Sequence, residues 1–323
     1  MDEFSFINSI KQQTYKQSSV VKGIGDDAAV FRNTSQDIVT AVDTFVEEVH
    51  FSRATMDPFH IGYRSLAANI SDLAAMGATP AFYLVSIVIP KHWADEELTK
   101  LYKGMDNLAT IHNMDLIGGD TVSGKELSIS ITVIGFVSKG NARYRSSAKP
   151  GDILFVTGTL GDSQAGFHIL NNPGKFKEKE YYYNKHRMPE PRVAFALELG
   201  SLSRVALNDI SDGIANEANE ISEASKVSIT IYEDKLPTST SYKQFPVKLQ
   251  REWKLFGGED FELVGTVAKA EWEAMKLVAE RTNTPLKEVG YVDFSKSDEH
   301  KVFGVNQKNK KKLLEKKGYT HLE

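Results

Sequence analysis

Gly23-Ile24-Gly25-Asp26-Asp27-Ala28-Ala29-Val30-Phe31 sets two adjacent carboxylates behind two glycines and ahead of a small apolar run. Glycine lets a backbone turn tightly and approach a ligand closely. Two ionised aspartates about 4 Å apart repel by roughly 4 kcal/mol at a typical effective dielectric. A fold accommodates that repulsion when a cation sits between the charges or when water covers them. One such pair alone is more often a solvated turn. The pattern recurs, however. Acidic residues stand beside glycine or at the ends of apolar runs at Asp43, Asp72, Gly118-Gly119-Asp120, Asp209, Asp212 and Gly257-Gly258-Glu259-Asp260.

Working outward from that stretch, residues 2–17 predict a short helix and Asp37–Val42 a strand with Asp43 at its carboxyl end. Functional groups of α/β proteins often sit at that end of a strand. Asp57-Pro58 opens a helix in which Leu66, Ile70, Leu73 and Gly77 share a face, with Ser65, Asn69 and Asp72 on an adjoining stripe. Strands follow at Ala81–Ile89 and Leu127–Val133, with a helix from Asp95 to His112 between them. Pro150-Gly151-Asp152 is a turn that divides the chain into domains of residues 1–148 and 149–323. The second domain restarts with strand Ile153–Thr157 and a glycine loop, Gly158–Gly161, ahead of a helix capped by Asp162 or Ser163. Lys175–His186 reads as a connection, 214–225 as a helix, and the lysine-rich tail as a solvated helix face. Strands and helices interleave in both halves, so the expected class is α/β or α+β.

With 323 residues, each of two domains can bury its own core. A net charge of −4 gives no support for nucleic-acid binding. The absence of cysteine excludes disulfides, thiolate-bound zinc, iron–sulfur ligation and a cysteine nucleophile. Met1-Asp2-Glu3-Phe4 is acidic and reads as no signal peptide, and the apolar run Ala81–Ile89 is too short to span a bilayer. A cytoplasmic protein with no membrane association is the expectation.

Gly119–Glu126 nearly spells a phosphate-binding loop, but Glu126 stands where a hydroxyl must hold magnesium, and an alternating strand follows where a helix should. Gly158–Gly161 could likewise cradle a phosphate, but it reads better as a simple strand-to-helix turn. No Gly-x-Ser-x-Gly elbow is present, which argues against acyl transfer. His50 has no second histidine at ligand spacing, so zinc is not expected there. The remaining signal is acidic: Asp26, Asp27, Asp43, Asp72, Asp120, Asp209 and Asp212. So many carboxylates suit a hard, oxygen-seeking cation. Magnesium takes one or two carboxylates and completes its shell with water and substrate phosphates. Several magnesium ions on a polyphosphate would use the whole set, which points to phosphoryl transfer.

Six ordered motifs sharpen this reading: 23–29, Asn69-Ile-Ser-Asp-Leu-Ala-Ala-Met-Gly-Ala78, Ile117-Gly-Gly-Asp-Thr121, Ser147-Ala-Lys-Pro-Gly-Asp152, Asp209-Ile-Ser-Asp-Gly213 and Gly257-Gly-Glu-Asp-Phe-Glu-Leu263. Together they resemble the thiamine-monophosphate kinases, from about residue 20 to Tyr319. The resemblance implies the two-domain fold of the aminoimidazole ribonucleotide synthetase superfamily. In that fold an N-terminal ATP- and magnesium-binding domain dimerises through a barrel-like sheet, and a C-terminal α/β domain closes over the substrate site. It implies transfer of a phosphoryl group from ATP to thiamine monophosphate, giving thiamine diphosphate, by a homodimer using several magnesium ions.

By the same resemblance Asp27, Asp43, Asp72, Asp120 and Asp209 are magnesium ligands, and Asp212 holds a further ion. Gly119, Asp120, Arg145, Ser211 and Tyr102 are nucleotide contacts. His50, Glu259 and Tyr319 contact the thiamine phosphate; an aromatic ring and an anion both suit a cationic heterocycle. Asp72, Asp120 and Arg145 are expected to act electrostatically, with no protein acid or base, since a phosphate monoester is largely dianionic at neutral pH. One departure stands out: Ala41-Val42-Asp43 replaces the hydroxyl-bearing pair that commonly precedes this aspartate in the family. The alternatives are another ATP-dependent enzyme of the superfamily, of the purine cyclo-ligase type, or a non-catalytic magnesium- and ATP-binding protein.

Overall fold

A computed structural model of the chain describes residues 12, 14–22, 30, 31, 35–295 and 300–317. Contacts divide the chain into one unit of residues 1–73 and 78–142 and a second of 74–77 and 143–323.

The first unit carries a two-stranded pair, β1 (Val20–Lys22) with β2 (Val30–Phe31). The rest is β3 (Gln36–Val46), α1 (Pro58–Ala75), β4 (Thr79–Pro90), α2 (Asp95–Ile111), β5 (Asp115–Gly124) and β6 (Ser128–Ser138). Four of these strands form a mixed sheet in the order β3-β6-β4-β5, with β4 and β5 parallel and the other pairs antiparallel. In β6, Ile129, Ile131 and Val133 are buried while Ser130 and Thr132 alternate with them on the more open face. Leu66, Ile70 and Leu73 of α1 are buried as their spacing requires. Each such side chain contributes about 1.5–3 kcal/mol by leaving water. Asp57 caps α1, its Oδ1 accepting the His60 N–H at 3.1 Å, and Pro58 occupies the first turn.

The second unit runs β7 (Ile153–Thr157), α3 (Asp162–Asn171), α4 (Lys179–Arg187), α5 (Val193–Glu198), β8 (Val205–Asp209), α6 (Ile214–Ser225), β9 (Val227–Tyr232), α7 (Val247–Phe256), β10 (Leu263–Val267), α8 (Trp272–Arg281), β11 (Leu286–Phe294), β12 (Val302–Val305) and β13 (Lys311–Leu313). Its seven strands lie in the order β13-β12-β9-β11-β7-β10-β8, antiparallel except for β12 beside β9. Leu154, Val156, Ile229, Ile231 and Val264 of the sheet share one core with Ile214, Ala218 and Ile221 of α6. A smaller aromatic cluster of Tyr182, Tyr242, Phe245 and Trp253 packs with Ala165 and Ile169 of α3.

Several local expectations are corrected. Asp43 lies inside a strand, not at its end, because β3 pairs with β6 without a break from Gln36 to Val46. The expected helix over 2–17 falls mostly outside the described residues, and 14–19 are bends and turns. Lys175–His186 is not a bare connection; it contains α4, whose Tyr182 and His186 are buried. Neither Asp162 nor Ser163 caps α3. The cap residue is Gly161, and the Gly161 and Ser163 N–H groups donate to the distant Asp260 carboxylate at 2.6 and 3.1 Å. The lysine-rich tail forms β13, an edge strand whose Lys311 and Lys312 are exposed. Lysines there discourage another strand from pairing with the edge.

Candidate active site

In the first unit, β3 and α1 bring Asp43 and Asp72 into one neighbourhood. β3 is an edge strand, and its Asp43 N–H donates to Oδ1 of Asn69 on α1 at 3.0 Å. The Asn69 side chain in turn donates through Nδ2 to the Ser65 carbonyl at 3.0 Å. Asn69 is fully buried, so its amide is fixed at both ends. Asp72 lies three residues further on α1 and is half-buried. The sequence marked Ser65, Asn69 and Asp72 as one stripe but gave no role to Asn69, which ties the helix to the strand that presents Asp43.

Pairing fixes where the other expected residues of this unit lie on the sheet. Asp43 faces Ile131, Ile131 faces Val85, and Val85 faces Gly119, so Gly119 and Asp43 occupy one row. A Cβ at Gly119 would lie 1.9 Å from the Val85 carbonyl oxygen, so strand packing alone demands glycine there. Asp120 is in the neighbouring row with Ser86, Ser130 and Thr44, so it lies on the opposite, more open face of the sheet from Asp43, and it is exposed. Its Oδ1 accepts the Thr121 N–H at 3.0 Å. The Thr44 and Ser130 hydroxyls of the same row are 2.7 Å apart.

His50 follows β3, and its Nδ1 accepts the Val46 N–H at 3.1 Å, which leaves Nε2 as the protonated nitrogen of the neutral ring. Tyr102 is buried on α2, and burial pushes its phenol up from the ordinary value. It lines a cavity of about 220 Å³ with Tyr83, Thr99, Lys103 and Asp106. Asp26 and Asp27 lie outside the described residues.

The second unit gathers Arg145, Asp209, Ser211, Asp212 and Glu259 around the end of β8. Asp209, the last residue of β8, is buried. Arg145 donates through Nε to Asn208 Oδ1 at 2.9 Å, and its Nη1 lies 3.3 Å from Glu220. Asn208 donates through Nδ2 to Glu217 Oε2 at 2.5 Å. The other Glu217 oxygen accepts the Asp212 N–H at 3.1 Å and the Ser211 hydroxyl at 3.4 Å. Burial, followed by the nearby Asp209 charge, pushes Glu217 up to about 8. Nothing in the sequence reading marked Glu217. The available signal was an acid in the first turn of a helix behind a glycine turn, a position from which carboxylates reach back to loop N–H groups.

Glu259 sits on a loop stitched to the same strand end. Its N–H donates to the Ser211 carbonyl at 2.7 Å, Phe261 N–H to Ile210 O at 3.0 Å, and Ile210 N–H to Glu262 O at 2.7 Å. Glu259 and Phe261 have φ of 68° and 49°, left-handed values that cost a side-chain-bearing residue energy and persist only where surroundings enforce them. A Cβ at Gly258 would come within 2.3 Å of the Ser211 carbonyl oxygen, so this approach also needs glycine. The two flanking acids supply the enforcement. Asp260 caps α3, and Glu262 takes both Nε and Nη2 of Arg192, at 2.6 and 2.7 Å, plus the Thr157 hydroxyl at 2.8 Å. With Asp162, Asp260 and Glu262 around it, the Gly158–Gly161 turn is too acidic to cradle phosphate. Tyr319 lies outside the described residues.

Among the described residues, no three His, Asp or Glu side chains form a ready-made metal cage. The upward push that Asp209 and Asp212 exert on Glu217 marks an excess of negative charge, which a bound cation would offset. No helix among the described residues is long and apolar enough to cross a membrane.

Residues 25–137 match the N-terminal domain of the AIR synthase related proteins, and residues 149–302 match their C-terminal domain. Along 330 aligned residues, all of both chains, this chain is 47% identical to the thiamine-monophosphate kinase of Bacillus subtilis. The chain belongs to the thiamine-monophosphate kinase family. The crystal structure of the family member from Stenotrophomonas maltophilia superposes with a TM-score of 0.84 at 32% identity, over 94% of this chain and 96% of that one. AaThiL complexed with AMPPCP and TMP gives a TM-score of 0.75 at 28% identity, over 94% and 93%. The two-domain fold with two mixed sheets is therefore that of the AIR synthase related proteins, as the motifs implied.

Proposed function

We propose that the chain phosphorylates thiamine monophosphate with ATP, and the observation that carries this reading is 47% identity along the full length of the Bacillus subtilis kinase. A phosphate oxygen of thiamine monophosphate attacks the γ-phosphorus in line. The bond between that phosphorus and the β–γ bridging oxygen breaks, and ADP leaves with the bridging oxygen's electron pair. No phosphorylated side chain intervenes. The attacking monoester is already largely dianionic at neutral pH, so the chain supplies no general base.

Asp27, Asp43, Asp72, Asp120, Asp209 and Asp212 are the residues that would hold magnesium. Magnesium, when bound, neutralises phosphate charge and draws the two anions together. Arg145 supports the nucleotide phosphates with a planar fork that is half exposed yet held at Nε. Gly119, Asp120, Ser211 and Tyr102 complete the nucleotide contacts. His50, Glu259 and Tyr319 take the thiamine phosphate. Glu259 is well suited to a cationic heterocycle because its loop is immobilised on either side.

The active form is a homodimer joined through the open face of the four-stranded sheet. Ile38 and Val42 of β3 and Val122 of β5 support this, being 55%, 61% and 46% exposed. Scattered exposed apolar residues are ordinary, but three on one small sheet favour a partner surface. Val42, which replaces a hydroxyl residue, then serves the interface and not a metal. The protein works in the cytoplasm.

The test is direct. Incubation with ATP, magnesium and thiamine monophosphate must yield thiamine diphosphate and ADP in equal amounts by chromatography. ADP release with a purine ribonucleotide substrate but none with thiamine monophosphate would favour the cyclo-ligase reading. Binding of ATP without turnover of either would refute both enzymes.

A further inference from the structure

We infer that Glu217 is a positioning residue for ATP: through Asn208 it sets the orientation of Arg145, and through its second oxygen it fixes the turn carrying Ser211 and Asp212. The inference rests on the reading of Arg145 and Ser211 as nucleotide contacts and adds a residue to that reading.

The argument is one of donor and acceptor polarity. An asparagine amide has one accepting end and one donating end, and nothing intrinsic decides which way it points. Here Arg145 can only donate, so Asn208 must turn its oxygen toward Nε, as it does at 2.9 Å. That leaves the Asn208 NH2 group facing α6, where it needs a pure acceptor. Glu217 Oε2 is that acceptor at 2.5 Å. Glu217 Oε1 then meets two more donors, the Asp212 N–H and the Ser211 hydroxyl. Every contact made by the carboxylate is with a donor, so an isosteric amide at 217 cannot satisfy all of them. If its NH2 faces Asn208, two donors oppose each other, and Asn208 must flip and turn its own NH2 toward Arg145. If its NH2 faces the turn instead, it opposes the Asp212 N–H.

Arg145 has a competing partner that makes this relay matter. Glu220 lies 3.3 Å from Nη1, is itself exposed, and also holds Lys316 at 2.7 Å. Without the Asn208 oxygen, the guanidinium is drawn by a surface acid and loses its fixed plane. Glu217 and Asn208 are both buried, so the relay is shielded from solvent while Arg145 at its end is not.

The experiment measures KM for ATP, KM for thiamine monophosphate and kcat on the full chain. Arg145→Ala raises KM for ATP if the underlying reading holds. Glu217→Gln then raises KM for ATP about tenfold or more, the loss of a charge-assisted hydrogen bond, and leaves KM for thiamine monophosphate within about twofold. Asn208→Asp alone sets two carboxylates against each other and does worse. The double variant Asn208→Asp, Glu217→Gln restores every donor–acceptor pair with the charge moved by one side chain, and KM for ATP returns to within about threefold of wild type.

A general packing role would lower stability in Glu217→Gln and disturb both substrates, with no recovery in the double variant; that result overturns the inference. Arg145→Ala with an unchanged KM for ATP overturns the reading beneath it and the inference together. An effect of Arg145→Ala without one of Glu217→Gln overturns the inference alone. Should Glu217→Gln fail to fold, ATP affinity of the double variant decides by calorimetry: within threefold of wild type supports the relay, and tenfold weaker refutes it.

Discussion

Arg192→Met removes the one arginine that, among the described residues, pairs with Glu262, and the cost can be worked from the contacts. Glu262 is 2% exposed and Arg192 8%, so solvent screens the pair little. The guanidinium meets both carboxylate oxygens, at 2.6 and 2.7 Å. Breaking a buried pair by removing one partner costs about 3–5 kcal/mol, chiefly because the stranded charge stays buried. Two groups soften the loss. Thr157 continues to donate its hydroxyl at 2.8 Å, and Lys185 Nζ stands 3.6 Å from Oε1. The lower end, about 3 kcal/mol, is therefore expected, equivalent to a fall in Tm of roughly 6–12 °C for a unit of this size.

Proton linkage adds a second signature. Burial alone would raise the Glu262 pKa, but Arg192 hydrogen bonding and charge, with Lys185 and Thr157, hold it below the ordinary 4.5. A carboxylate lowered in the folded state contributes stability above its unfolded value, lost as pH falls through the lower folded value. Without Arg192 the burial effect wins and Glu262 favours the proton. The deficit of the variant is then largest at neutral pH and shrinks toward pH about 4. Urea unfolding followed by circular dichroism at pH 7 and pH 4.5 measures both. Replacing both partners, Arg192→Met with Glu262→Leu, should recover most of the loss, since no charge is left stranded. A deficit under about 1 kcal/mol at pH 7, or one that does not change with pH, would refute this account of the pair.

Four further outcomes are expected. Asp72→Asn and Asp120→Asn each lower kcat by about 100-fold or more while the circular dichroism spectrum is kept, as removal of one electrostatic group from a phosphoryl-transfer site does. Asn69→Ala leaves the Asp43 N–H without its acceptor and lowers stability by about 1–3 kcal/mol in thermal unfolding, with a loss of activity beyond the unfolded fraction. Val42→Glu places a charge on the open sheet face and shifts sedimentation from dimer toward monomer. Burial, with help from Asp162, pushes Asp260 up to about 8 from 3.8, so its contribution is fully present below the lower value and lost as pH rises through the higher. Asp260→Asn, with no proton to lose, gains on wild type between about pH 4 and pH 8 in urea midpoints.

Local periodicity was readable where an element carries its own signal. β7, an apolar run buried along its whole length, and α6 fall at the bounds expected for them, Ile153–Thr157 and Ile214–Ser225. β3 outran its expected end because its length is decided by pairing with β6, some ninety residues away, and not by its own residues. α4 escaped notice because its tyrosines and lysines make a poor amphipathic pattern, its burial coming from the aromatic cluster it shares with Trp253 of α7; α7 has an amphipathic pattern of its own and was missed all the same. In the site, the types and order of the acidic residues were legible from motifs. Asn69 and Glu217 were not, since each matters only through a partner that folding supplies: the Asp43 N–H for one, the Asn208 amide for the other.

The acidic residues of the chain are held in different ways, and the difference separates scaffold from chemistry. Glu262 keeps its charge because Arg192 matches it in geometry and sign. Burial, with the neighbouring carboxylates, pushes Asp260 and Glu217 upward, and the backbone N–H groups of Gly161 and Ser163 for one and of Asp212 for the other oppose that push by holding the charged form. Those three acids are inside, and their partners are all within the second unit. Asp212 and Glu259 differ: each is fixed in its loop through its backbone N–H. Asp43 is held in the same manner, by its N–H to Asn69. Main-chain anchoring places an acid without drawing on its side chain for the tie. In the proposed reading magnesium would be the partner of opposite sign for such acids, since it takes one or two carboxylates and completes its shell with phosphate oxygens and water.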